Sequence, residues 1–405
     1  MRTAGIVCEY NPFHNGHRDH LERTKGLPGS DYVVCAMSSD FLQRGEPALL
    51  PKEYRAEAAV RNGADLVFEI PSVFSCSSAE FYAFAGVALM ARLGIVDSIV
   101  FGSENPEITT LRQLAEILAD EPDDFSGLLR EKLSSGVSFP RARQLALAEY
   151  TKFEDVGDII EGSNNILGIE YIKAIIKNGY PIKPIAIPRI AEAYKQTYIE
   201  GRYPSATAIR KTIMEKGIEA VSDFLPPATY EILESFYSSG LPYINIELLK
   251  EAVFYRIASL SPDKLREYPG VTEGLENRLK AGLDKAFTLS DYIELCSTKR
   301  YPRTRISRTL MYILLDITMD LANGIWKKGP LYARLLAASK RGMDLVPVIE
   351  RNSSIPVFTS FKAFYENATK PMRTILDLEK VSSDIYSTAA GLPTDREFTI
   401  QFKIY

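Results

Sequence analysis

Short runs of apolar residues alternate with helix-period stretches through the first half of the chain. The runs are Thr3–Glu9, Tyr32–Met37, Leu66–Ile70, Ser98–Phe101 and Ile182–Ile187. Helix-like stretches lie between them, over His17–Lys25, Lys52–Asn62, Ser78–Leu93, Ile108–Asp120 and Ile166–Asn178. Strands that read as unbroken apolar runs are buried on both faces, and helical connections make them parallel. The pattern predicts an α/β fold, with a Rossmann-like parallel sheet over residues 1–220. A helical insert is expected at about residues 107–161, with Phe139-Pro140 as its punctuation. From Phe224-Leu225-Pro226-Pro227 onward, longer helical patterns take over: Ile246–Ile257, Gly274–Ala286, Ser307–Leu321 and Leu331–Arg341. Residues 221–405 are therefore expected to form a mainly α-helical C-terminal domain. Only the closing segment, Phe398–Tyr405, alternates like a strand.

All three histidines of the chain, His14, His17 and His20, fall within seven residues just after the first run. The local order is strand, the loop Tyr10-Asn11-Pro12-Phe13, then His14-Asn15-Gly16-His17 opening a helix. A helix start carries free N–H groups and a partial positive charge, which attract phosphate. Gly16 has no Cβ and lets backbone come close to a ligand. His14 and His17 share one helix face. Two imidazole donors there can stabilise charge on a phosphate in transfer. Three imidazoles on one face could instead bind zinc, although no Glu follows the first His as in zincins. A solvated loop is the plainest alternative.

Composition narrows the setting. A chain of 405 residues with 46% hydrophobic and 25% charged residues suits two folded domains. The net charge of −4 excludes a polycation, so any nucleic-acid contact needs a local basic patch. Four cysteines without a Cys-x-x-Cys pair read as reduced thiols. No stretch of 18 apolar residues occurs, and the opening residues enter a strand at once, so a cytoplasmic protein without a membrane contact is expected.

The run Gly5-Ile6-Val7-Cys8-Glu9-Tyr10-Asn11-Pro12-Phe13-His14-Asn15-Gly16-His17 resembles the H-x-G-H signature of the nucleotidyltransferase superfamily. More narrowly, it resembles the bacterial tRNA(Met) cytidine acetate ligases. Further blocks agree in order: Met37–Ala48, Gly63–Pro71, Phe101–Glu104, Asn164–Tyr171 and Lys299–Ile306. Ser39 and Ser163 stand where the family usually has Gly and Pro. The resemblance spans nearly the whole chain. It implies an ATP-dependent, AMP-forming ligase with a nucleotidyltransferase catalytic domain. Acetate would attack the α-phosphate of ATP, giving acetyl-adenylate and pyrophosphate. The exocyclic amine of the wobble cytidine of elongator tRNA(Met) would then take the acetyl group, giving N4-acetylcytidine. ATP is the co-substrate, Mg²⁺ is expected with it, and no metal ligands are assigned. No protein partner is expected.

The same resemblance implies that ATP lies along Val7, Cys8, Glu9, Tyr10, Asn11, Pro12, Phe13, His14, Asn15, Gly16, His17, Arg18, Asp19 and His20, with His14 and His17 catalytic. Gly102, Asn164 and Arg189 would contact the nucleotide. Ser205, Thr207 and Arg210, in an S-x-T-x-I-R segment like the family's second signature, would meet the phosphates. The ordinary alternatives are a turn at Gly102, a helix cap at Asn164, a surface ion pair at Arg189 and a plain capped helix after Ser205. Asp40, Gln43, Arg44 and Glu46 lie in a Gly/Pro-broken loop at the expected ligand edge. They are candidates for acetate or the target base, with Arg44 as the anion partner.

Lys299, Arg300, Arg303, Arg305 and Arg308 place five positive charges in ten residues, with no acid between Glu294 and Asp316. Tyr292, Tyr301 and Tyr312 interleave aromatic faces. Phosphate neutralisation with base stacking suits an anticodon loop; a solvated helix face is the alternative. A second cluster is Trp326-Lys327-Lys328, Arg334 and Lys340-Arg341. The rival activity is a small-molecule adenylyltransferase of cofactor biosynthesis. It would use the same histidines and leave the helical second half and the basic stretch unexplained. A non-catalytic RNA-binding protein is a third possibility, against which the intact histidine pair argues.

Overall fold

The computed structural model describes residues 2–152, 156–189 and 203–405. Eight strands form one sheet: β1 (Thr3–Cys8), β2 (Tyr32–Ser38), β3 (Leu66–Ile70), β4 (Ser98–Ser103), β5 (Lys183–Pro188), β6 (Ala333–Ala338), β7 (Val357–Phe358) and β8 (Lys403–Ile404). Their order is β5-β4-β1-β2-β3-β6-β7, with β8 beside β6. The first five strands pair in parallel, as their apolar runs require. Seven helices matter below: α1 (Asn15–Lys25), α2 (Lys52–Arg61), α3 (Ala79–Leu93), α4 (Ser163–Asn178), α5 (Ala206–Lys216), α6 (Arg303–Leu314) and α7 (Lys370–Ala390). No described helix is long and apolar enough to cross a membrane.

The helical insert comprises Ile108–Asp120, Asp123–Ser134, Phe139–Thr151 and Val156–Glu161, and residues 153–155 lie outside the described residues. Pro140 sits in a first helical turn, where its missing N–H costs nothing. Arg143 ties the insert to α4 through Glu170 at 2.6 Å.

One expectation is corrected. Leu331–Arg341 was expected to be helical, but it carries β6, antiparallel to β3. All six residues of β6 are buried. With its apolar residues and Arg334 all buried, the strand has no solvent-facing side to set a period, so helix and strand read alike. The sheet is therefore continuous across residue 220. A block of helices between Pro227–Tyr237 and Met319–Trp326 is strung between β5 and β6. Of the closing segment, only Lys403–Ile404 pairs as a strand, against Ala337 and Ala338.

A buried ionic cluster fastens the late elements to the early ones. The Lys52 ammonium, on α2, meets Glu379 of α7 at 2.8 Å, Glu397 at 2.5 Å, and Glu69 of β3. Arg334 of β6 pairs with Glu69 at 3.2 Å and with Glu397. Arg396 pairs with Asp40, and Ser72 donates its N–H to Glu379 at 2.6 Å. These side chains are almost wholly excluded from water, so each charge must be met by a partner. All four cysteines are buried free thiols.

Candidate active site

The start of α1 is built from the first two histidines of the cluster. His14 is the N-cap: its Nδ1 accepts the Gly16 N–H at 3.0 Å. His17 returns the favour, its Nδ1 accepting the His14 N–H at 3.4 Å. The pair thus makes a capping box with imidazoles in place of the usual Ser and Glu. The two rings stack with centroids 3.8 Å apart. Tyr10 and Phe13, both buried, support His17 from 5.0 and 5.7 Å. Gly16 has a definite steric reason: a Cβ there would lie 2.9 Å from His14 Cε1. What Gly16 admits is the folded-back imidazole, and the expectation of close ligand approach gains this second cause.

All three histidines are held neutral. Burial drives His14 down to about 3, and the cations of Arg189 and Arg210 add to it. His17 is lowered by burial first, then by His14, Arg189 and His20, against a hydrogen bond to the Pro12 backbone. His20 falls to about 4, through burial, Arg23 and Arg189. With Nδ1 of His14 accepting from backbone, its proton resides on Nε2. The corner therefore offers neutral N–H donors under the field of three guanidiniums, a setting made for an anion.

The cleft around them is open to solvent and has a cavity volume of about 220 Å³. It straddles β1 at the carboxyl ends of the strands, where the chain order reverses between β4 and β2. Of the residues expected at the nucleotide, Val7, Cys8, Glu9, Tyr10, Asn11, His14, Gly16, His17, Asp19, His20, Gly102, Asn164, Arg189, Thr207 and Arg210 line it. Pro12, Phe13, Asn15, Arg18 and Ser205 do not. Phe13 is core, Asn15 donates to the Asp223 carbonyl at 2.9 Å, Arg18 lies 3.9 Å from Glu22, and Ser205 caps α5 through the Ala208 N–H. Arg210 spans the mouth, bonding the Asn11 carbonyl at 2.8 Å and Glu46 at 2.6 Å. Asn164 donates to Glu104 at 2.5 Å. The true clamp between α4 and β4 is its neighbour Asn165, whose Oδ1 accepts from Ser103, Glu104 N–H and Asn105 N–H.

In the loop after β2, Gln43, Arg44 and Glu46 reach the cleft, and Asp40 does not. Asp40 is fully buried, accepts the Lys52 N–H at 2.8 Å and pairs with Arg396, so it belongs to the ionic cluster and is corrected as a substrate candidate. Sequence reasoning missed Arg55, a buried arginine on α2. It bonds the carbonyls of Glu9 at 2.7 Å, Ser39 at 2.5 Å and Leu50 at 3.0 Å, and so fixes the ends of β1 and β2. Nothing in its helical surroundings marks it. Tyr82, Phe101, Leu167 and Tyr171, also missed, give the cleft its apolar wall.

The basic stretch is less open than its sequence. Arg300 meets Glu273 at 2.5 Å and Arg303 meets Glu294 at 3.3 Å. Arg305 covers the Tyr301 ring and bonds the Gly270 carbonyl at 3.2 Å. Arg308 turns inward to the Gln43 carbonyl at 3.3 Å. Lys299 is exposed. Tyr292, Tyr301 and Tyr312, expected as stacking faces, are buried; apolar rings at helical spacing have gone to the core. Gly45, at φ +79°, explains how α6 reaches this loop: a Cβ would lie 2.3 Å from the Arg308 nitrogen.

Among the described residues, one set of three carboxylates lies within reach of a single ion: Glu69, Glu379 and Glu397. It encloses the Lys52 ammonium, which already does what an ion would do, so the set does not fit a metal. The three histidines form no such group.

The family model described as HIGH Nucleotidyl Transferase matches residues 1–398. A tRNA(Met) cytidine acetate ligase of Halothermothrix orenii is 39% identical over 416 residues, covering 100% of this chain and 99% of its own. One from Acetivibrio thermocellus is 38% identical, covering 99% and 98%. This chain belongs to the tRNA(Met) cytidine acetate ligase family. A member with a solved structure, Thermotoga maritima TmcAL without ligand, superposes with a TM-score of 0.96 at 32% identity over both full chains. The same ligase bound with alpha-thio ATP superposes at 0.93. The nucleotidyltransferase fold expected from the motifs is thus the fold of the family.

Proposed function

We propose that the chain uses ATP to activate acetate and acetylates the wobble cytidine of elongator tRNA(Met). The observation that carries this reading is the pair of neutral imidazoles at the start of α1, set near Arg189 and Arg210 in a cleft at the switch point of a parallel sheet. An acetate oxygen attacks the α-phosphorus of ATP, the bond to the bridging oxygen breaks, and pyrophosphate leaves. Imidazole N–H groups of His14 and His17, with Arg189 and Arg210 nearby, stabilise the charge that builds on the phosphates. Mg²⁺ enters this scheme as part of the nucleotide, neutralising phosphate charge.

Phe101, Gly102 and Leu167 suit the adenosine, while Gln43 and Arg44 are the side chains for acetate or the target base. Lys299, Arg300 and Arg303 are the exposed cations of the basic stretch that suit the tRNA backbone. A cytoplasmic setting follows from those substrates. Incubation with ATP and labelled acetate, with and without elongator tRNA(Met), tests the reading. Label in RNA as N4-acetylcytidine is the expected result. Pyrophosphate release with a nicotinamide or pantetheine phosphate, and no label in RNA, would overturn it.

A further inference from the structure

The two walls of the cleft differ in chemistry. On the β4–β5 side it is apolar, through Phe101, Leu167 and Ile187. On the β2 side it presents Glu9, Asn11, Gln43, Arg44, Glu46 and Arg210. A purine suits the first wall. The second wall remains for the group that attacks the adenylate.

We propose that Glu9, fixed at the end of β1 on the same polar wall as Asn11, is the base that takes a proton from the cytidine amine during acetyl transfer. The proposal rests on the acetate-ligase reading and adds a residue to it. Three observations converge. Glu9 Oε1 accepts the Gln43 N–H at 2.9 Å, and Arg55 holds its main-chain carbonyl at 2.7 Å, so the carboxyl group is positioned by two loops and a buried cation. Asn11 is 2% exposed; its Oδ1 accepts the Leu49 N–H at 2.7 Å, yet its Nδ2 has no acceptor among the described residues. A buried donor in a cleft wall without a protein partner asks for one from a ligand. The Watson–Crick edge of cytosine offers an amine donor next to two acceptors, N3 and O2. A carboxylate and an amide N–H on one cleft wall offer the acceptor and the donor that edge needs.

The environment also suits a base. Burial raises the Glu9 carboxyl above the usual range; the Gln43 N–H opposes, Glu46 adds to the rise, and Arg44 and Arg210 oppose. Tyr82, Tyr171 and Cys76 are the other titratable groups that sense its charge. In the transfer step the N4 lone pair forms a bond to the acetyl carbon. The bond from that carbon to the phosphate oxygen breaks, and AMP leaves with the electron pair. The proton lost from N4 passes to Glu9 and then to solvent. No further reactant is needed.

The test separates the two half-reactions in the Glu9→Gln protein, whose amide oxygen can still accept the Gln43 N–H. Acetate-dependent ATP–pyrophosphate exchange reports adenylation; single-turnover acetylation of an elongator tRNA(Met) transcript from synthetic acetyl-adenylate reports transfer. Transfer is expected to fall about 100-fold or more relative to exchange, and its rise with pH, present in the parent, is expected to vanish. Glu9→Asp is expected to recover part of the rate. Equal losses in both half-reactions, transfer at the parent rate, or an unchanged pH profile would each overturn the assignment. Failure of the parent protein to acetylate the transcript would sink the underlying reading instead, and it is seen before any variant is made.

Discussion

Two regions of this molecule bury ionisable side chains, and they solve the resulting problem in opposite ways. Around Lys52, three cations (Lys52, Arg334, Arg396) face four carboxylates (Asp40, Glu69, Glu379, Glu397) with almost no water between them. Around His14 the guanidiniums of Arg23, Arg189 and Arg210 surround imidazoles that have given up their charge. The first region satisfies itself and holds α2, β3, β6 and α7 together. The second sets its cations, Arg210 with Glu46 and Arg23 with Asp19 among them, along the wall of an open cleft. In the first region buried charges are kept and paired; in the second the imidazoles give up their charge beside neighbouring cations.

The largest effect should come from breaking the self-contained region. Lys52→Met keeps the length of the side chain and removes the cation from three buried carboxylates. The expected cost is about 3–5 kcal/mol, read as a shift in the urea unfolding midpoint. A loss below about 1 kcal/mol would mean that the carboxylates manage by sharing protons, and the contrast drawn above would be wrong. The binding region should respond in function before stability. His14→Ala and His17→Ala are each expected to lower acetate-dependent ATP–pyrophosphate exchange about 100- to 1000-fold. His14→Ala should cost only about 1 kcal/mol of stability, the worth of a helix cap. His14→Asn restores the cap and not the imidazole, so recovered stability with activity still lost is the diagnostic outcome.

The same contrast explains what could be read from the chain. The histidine corner is contiguous: β1, the loop, Gly16 and α1 follow each other in 25 residues, so local pattern and chemistry coincide. The ionic cluster draws on Asp40, Lys52, Glu69, Arg334, Glu379, Arg396 and Glu397, and taken singly each resembles an ordinary surface residue. Arg334 even looked like part of a basic patch, whereas it is 1% exposed and paired with two glutamates. Folding also brings acids to cations that seemed unopposed: Glu273 reaches Arg300 from 27 residues away. Burial on both sides removed the period that would have revealed β6.

Acid separates the regions further. His14 has a pKa of about 3 in the fold, below the value of about 6.5 in the unfolded chain. The native state therefore binds fewer protons than the unfolded one between these limits. Stability from this group is complete above pH 6.5 and is lost as pH falls, by about 1.4 kcal/mol per unit. By pH 5 the loss is about 2 kcal/mol for His14, with His20 acting in the same direction. His14→Asn should flatten the acid limb of a stability-against-pH curve. An unchanged limb would show that the imidazole takes up a proton inside the fold.

Glu379 should give the smallest effect, with the opposite sign. The cluster around Lys52 carries more carboxylates than cations, Glu53 being a further partner of Arg396, and burial together with Glu69 and Glu397 raises Glu379 to about 7 against the pull of Lys52. Its folded pKa lies above the unfolded value, so its contribution is present at low pH and is lost as pH rises toward 7 and beyond. Glu379→Gln fixes the side chain in the form that resembles the protonated acid and can still accept the Ser72 N–H. Relative to the parent, the variant should gain about 1 kcal/mol between pH 6 and pH 8 in chemical denaturation. If the difference between the two proteins does not change with pH, the proton is not on Glu379 and the extra negative charge is balanced elsewhere in the cluster. If it changes as expected, the ionic core loses stability as pH rises through 7 while the histidine corner loses it in acid. Each group then titrates as its surroundings dictate: the carboxyl among too many anions keeps a proton, and the imidazoles among too many cations refuse one.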